Sequence, residues 1–101
     1  MPNNRFPINI RLASTSERWF WTKKLAELSR DSLRRQAEVL DDSIADEAEQ
    51  RAVKAEMEVR RLMLQHAVRL RAEPEREVRI HQSLTRRIGV LRRQYGEINW
   101  T

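Results

Sequence analysis

The sequence predicts a mainly α-helical protein. One short N-terminal strand leads into two helices, which run into a long helical hairpin, and the whole assembles as an intermolecular ribbon or a coiled-coil-like oligomer. Three observations carry this expectation. Residues 6–12 read Phe-Pro-Ile-Asn-Ile-Arg-Leu, an alternation of apolar and polar residues with β-branched members. From Leu33 an apolar stripe runs through Leu40, Ile44, Val59 and Leu62 to Leu70, with a mean step of about 3.7 residues, the period of a nearly straight helix. Pro74 then interrupts the stripe before a second one begins at Val78.

Taken in order, residues 1–5 read as a disordered leader. In the strand, Ile8, Ile10 and Leu12 share one face, and Pro7, Asn9 and Arg11 share the other. Pro7 has no N–H for a ladder, so it belongs at the strand's start or at an edge. A lone strand cannot satisfy its own backbone, so it needs a second copy or a partner sheet. Ser14 and Glu17 have the spacing of a capping box, which starts a helix carrying Trp19, Phe20 and Trp21. Three consecutive aromatics point three ways around a helix, so one of them faces away from a one-sided core. That feature marks an interface.

Ser29-Arg30-Asp31-Ser32 is the next break, with Asp31 or Ser32 as the cap of a second helix. No glycine or proline enforces the stop, and a continuous helix is equally compatible with these residues. The head is therefore 6–44, and residues 45–101 form a helical hairpin turning near Pro74, with 76–95 packed along 53–72. Gly96 marks the end of the last helix. The alanines between Ala48 and Ala55 make a thin core, which together with the orphan strand predicts an obligate oligomer.

Composition excludes several classes of function. The 101 residues contain no cysteine and only two glycines, and 35% are charged. That is one small domain at most. Disulfides, thiol catalysis and zinc–thiolate sites are ruled out, and no glycine-rich loop is present to cradle phosphate. No apolar run approaches the roughly 20 residues that span a bilayer. The first residues lead into no signal-peptide core, so the cytoplasm is the expected compartment and no membrane contact is expected.

Charge is segmented. Residues 1–37 hold eight Lys/Arg and three Asp/Glu, residues 38–58 two and eight, and residues 59–101 ten and four. A basic head and a basic tail can attract phosphate, and the acidic waist can pair with either. Seventeen of the twenty cations are arginine, which suits bidentate contacts to phosphate or carboxylate.

Catalytic chemistry finds little support. His66 and His81 sit at or near stripe positions on different helices, and neither joins a carboxylate cluster at ligand spacing. Asp41, Asp42, Asp46, Glu47 and Glu49 lack the glycine and alternating oxygens of a calcium loop. Ser14 and Ser16 have no neighbouring base and read as caps. No catalytic residue, metal site or cofactor is expected.

The order of strand, capped helix, four-residue break and second helix resembles the ribbon-helix-helix family of DNA-binding dimers, and within it the Arc-type repressors. The likeness covers residues 6–44. It implies a two-chain ribbon in the DNA major groove, with Asn9 and Arg11 reading base edges. It also implies that the start of the second helix, Ser32, Leu33 and Arg34, anchors phosphate through backbone N–H groups. Ile8, Ile10, Leu12, Trp19, Phe20 and Trp21 would then form the oligomer or partner interface. The resulting expectation is a sequence-specific repressor or DNA-organising accessory protein that binds double-stranded DNA and associates with itself. The alternative is a non-enzymatic helical adaptor or assembly subunit, docking proteins through its aromatic and charged faces.

Overall fold

Ser14 starts the first helix: its Oγ accepts the Glu17 N–H at 3.1 Å from an extended backbone conformation, satisfying a donor that the helix itself leaves open. The structure, a computed structural model, describes residues 10–46 and 51–96. Its helices are α1 (Thr15–Ala26), α2 (Arg30–Asp46), α3 (Arg51–Ala72) and α4 (Glu77–Tyr95), with 3-10 turns at Ile10–Leu12 and Pro74–Arg76. No strand occurs among the described residues.

The expected strand is therefore corrected where it is described. Ile10–Leu12 is a 3-10 turn, closed by the Ala13 N–H on the Ile10 carbonyl at 3.1 Å. Its donors need no second strand, because Glu56 of α3 takes them. Glu56 Oε2 accepts from Ile10 N–H at 2.9 Å, and Oε1 accepts from Arg11 N–H at 3.0 Å. A turn also separates residues that a strand would align: Ile10 is 0% exposed and Leu12 51%. Residues 1–9, with the expected leader, Ile8 and Asn9, lie outside the described residues.

The single helix expected from Leu33 to Leu70 is also corrected. Such a helix would place its ends roughly 55 Å apart at 1.5 Å per residue, yet the longest dimension of the molecule is 36 Å. Both leucines belong to one core, because α2 ends at Asp46 and α3 begins at Arg51 and packs against it. Neither glycine nor proline stands between them in the sequence. The other break is real: α1 ends at Ala26 and α2 begins at Arg30. Its cap is Ser29, two or three residues earlier than expected, whose Oγ accepts the Ser32 N–H at 3.2 Å.

α3 is central, and α1, α2 and α4 all pack on it. The turn at Ile10 and Arg11 lies by Glu56, and the α1 end lies by Arg71, whose Nη1 donates to the Ala26 carbonyl at 3.4 Å. That near-constant offset makes α1 parallel to α3. α4 is antiparallel to it, since His66 meets Ser83 and Glu58 meets Tyr95. Pro74 sits at the first position of the turn between them, where its missing N–H costs nothing. Gly96 ends α4 at φ +71°, with its N–H on the Arg92 carbonyl at 2.9 Å. Between α3 and α4 the seam is apolar, with Val59, Met63, Ile80, Leu84 and Ile88 buried. The described residues thus build a core within one chain, and the orphan-strand argument for an obligate oligomer falls away.

Glu56 is the residue whose loss the fold should feel most. Glu56→Ala removes the carboxylate that accepts from the buried Arg11 guanidinium and from two backbone donors, and should lower unfolding free energy by about 3–5 kcal/mol in urea titration. Glu73→Ala, which breaks only the exposed pair with Arg76, should cost less than about 1 kcal/mol.

Candidate anion-binding groove

The family resemblance placed function at the N-terminus, and the structure commits those residues elsewhere. Arg11 does not project from a ribbon: its Nη1 pairs with Glu56 Oε1 at 3.0 Å and its side chain is 4% exposed. Asn9 lies outside the described residues. At the start of α2, two of the three N–H groups expected to hold phosphate are already occupied, Ser32 by the Ser29 hydroxyl and Leu33 by the Ser29 carbonyl at 3.0 Å. Leu33 itself is a core residue. Of that trio only Arg34 is exposed.

The expected interface residues also separate. Trp19 is buried and stacks on His81, ring centroids 4.6 Å apart. Ile10 is buried beside Glu56, and Trp21 is partly buried against the core. Phe20 is 48% exposed, lies edge-on to Trp21 and has Lys24 Nζ 5.5 Å from its ring centre. Of the three aromatics, then, one turns outward with a cation over it. Arg18, between these rings and the turn, donates Nη1 to the Ala13 carbonyl at 2.6 Å. Burial, with Arg92 nearby, holds its pKa below the usual arginine range.

Sequence reasoning passed over a groove on the far side of the hairpin. It lies between α3 and α4, open to solvent, with a volume of about 580 Å³. Arg61 comes from α3, and Arg86 and Arg87 come from α4; Gln65 adds neutral donors and Ser83 lines the wall, over a base of Leu62 and Leu91. Helical spacing explains the convergence. Arg61 and Gln65 are one turn apart on α3, as are Ser83 and Arg87 on α4, while the apolar stripes of both helices face each other one strip away. Glu58 is the one acid among the described lining residues, and its Oε2 accepts the Tyr95 hydroxyl at 2.7 Å. Arg86 also belongs to an exposed row with Arg79 and Arg93, seven residues apart along one side of α4.

His66 lies under the groove, 2% exposed. Its Nδ1 is 2.7 Å from the Leu62 carbonyl and its Nε2 is 3.1 Å from Ser83 Oγ. A carbonyl only accepts, so Nδ1 carries the proton, and Nε2 accepts from the Ser83 hydroxyl. Burial pushes its pKa below the ordinary histidine value. The bond to Leu62 opposes that shift, and the positive charges of Arg69 and Arg87 add to it. The imidazole is therefore neutral at pH 7.

Among the described residues no cluster of His, Asp and Glu is placed to hold a metal ion, and no helix is long and apolar enough to cross a membrane. No protein-family model, curated protein or solved structure matches the chain.

Two outcomes follow from this geometry. Trp19→Ala should cost about 3–5 kcal/mol and Phe20→Ala about 1 kcal/mol or less in urea titration, because only the first empties a packed site. The second concerns acid. The unfolded chain takes up a proton at a histidine near pH 6.5, while folded His66 resists it. Stability from this residue is thus complete above that pH and declines as pH falls toward the lower folded pKa. The melting temperature should drop between pH 7.5 and 5.5, and His66→Gln should flatten that slope.

Proposed function

We propose that this is a non-enzymatic DNA-binding protein that grips the phosphate backbone with the α3–α4 face. The observation that carries the reading is the convergence of Arg61, Arg86 and Arg87 on one open groove that holds a single described acid, Glu58. Guanidinium groups present paired donors to phosphate oxygens and stay charged at every physiological pH. The row Arg79, Arg86, Arg93 extends the positive surface along α4 for about 20 Å at 1.5 Å per residue. A continuous row suits a polymer backbone better than a single small anion.

Contacts of this kind position a protein on DNA without reading its sequence. With Arg11 paired to Glu56 and the α2 start capped by Ser29, the proposal favours a DNA-organising accessory role over a sequence-reading repressor. A second reading, a protein-docking adaptor, has one observation of its own: Leu12 and Phe20 are half-exposed, and apolar surface of that kind is common at protein interfaces.

Binding of a fluorescent 20-base-pair duplex tests the choice. Neutralising three or four phosphates should give a slope of about −3 in log affinity against log salt. The combined variant Arg61→Ala, Arg86→Ala, Arg87→Ala should lose most of the affinity and most of that slope, and scrambling the duplex sequence should change little. Arg34→Ala should bind as the parent does. Equal binding by the triple variant would reject the groove, and absence of duplex binding would favour the adaptor.

A further inference from the structure

We propose that occupation of the arginine groove by phosphodiester groups is coupled to protonation of His66, so that the site holds DNA more tightly as pH falls below neutral. This rests on the reading of the groove given above and adds its regulation.

The coupling follows from where His66 sits. It is buried in the α3–α4 seam, but Nε2 meets Ser83 Oγ at 3.1 Å, and Ser83 lines the groove. One hydroxyl therefore separates the imidazole from the bound anion. In the neutral state that hydroxyl spends its proton on Nε2, leaving only lone pairs toward the groove. When solvent supplies a proton to Nε2, the direction reverses. Nε2–H now donates to Ser83 Oγ, and the hydroxyl proton is released to donate to a phosphate oxygen in the groove. The Nδ1–H bond to the Leu62 carbonyl at 2.7 Å is unchanged in both states, so the ring need not move.

Charge acts in the same direction. Among the described residues, the charges that lower the His66 pKa are Arg69 on its own helix and Arg87 on α4, both cations. Arg87 is also a groove residue. A phosphate against Arg87 cancels the field that opposes protonation, and a protonated His66 adds a positive charge beneath the phosphate. Each event favours the other by the same factor, because linkage between two binding sites is reciprocal. Phosphodiesters do not titrate between pH 5.5 and 8, so the ligand adds no pH dependence of its own in that window.

The test uses the full chain with ¹³C-labelled histidine, titrated by NMR with and without a 20-base-pair duplex. The His66 midpoint should rise on binding. Each unit of rise corresponds to up to tenfold in affinity, so duplex binding should tighten as pH falls from 7.5 to 5.5. Ser83→Ala, which keeps every arginine, should lose most of the gain in affinity between pH 8 and pH 5.5. His66→Gln should do the same if it folds. A duplex that binds through the arginines and leaves the His66 midpoint unmoved would overturn the coupling alone. A duplex that fails to bind, or binds the triple arginine variant equally well, would overturn both the groove and the coupling.

Discussion

A carboxylate inside a small helical domain needs donors for both oxygens, and Glu56 finds them on two sides. Its own helix supplies Arg60 Nε at 2.9 Å, and the N-terminal turn supplies the Ile10 and Arg11 amides with the Arg11 guanidinium. The same contacts solve the turn's problem, since the first amides of any helical segment lack intrahelical partners. Burying the pair costs desolvation that its attraction only partly offsets. What it fixes is register: with Ile10 pinned to Glu56, α1 can run along α3 only in the phase that buries Trp19 and Leu25. Arg18 secures the junction from the other side through the Ala13 carbonyl. The remaining helices then close around α3.

How much of this could be read in advance differed by element, for physical reasons. Ser14 was legible as a cap because capping is local, a hydroxyl three residues before an amide. The stripes of α3 and α4 and the Gly96 stop were legible for the same reason. Residues 10–12 were not, since alternation over so few residues also arises in a 3-10 turn whose first residue is buried. The partner that decided the matter, Glu56, lies 46 residues away. The stripe from Leu33 to Leu70 hid its own break, because two helices with the same period, joined without glycine or proline, look continuous to a periodicity argument.

The candidate site was less legible than the fold. A family likeness directed attention to Arg11, whose charge is used inside the molecule. Segmented charge did point to the basic tail, but it could not say which of ten arginines share a surface. That depends on the crossing of α3 and α4, which brings Arg61 beside Arg86 and Arg87. The His66–Ser83 bond was beyond reach for the same reason: the two residues are unremarkable on their own helices and meet only across the seam.

The two faces of the hairpin obey different rules of distance. Inside the seam, packing acts over a few ångströms, and Ile80, Leu84 and Ile88 hold α4 whatever the charge on its outer side. On that outer side, repulsion between solvated arginines is screened within about 8 Å at physiological salt, so each pair weakens the fold little. A polyanion experiences the row differently, because several phosphates are engaged at once and each releases condensed counterions. The arrangement is thus inexpensive for folding and cumulative for binding. His66 stands where the two regimes meet, neutral enough to remain in the seam and one hydroxyl away from the charged surface.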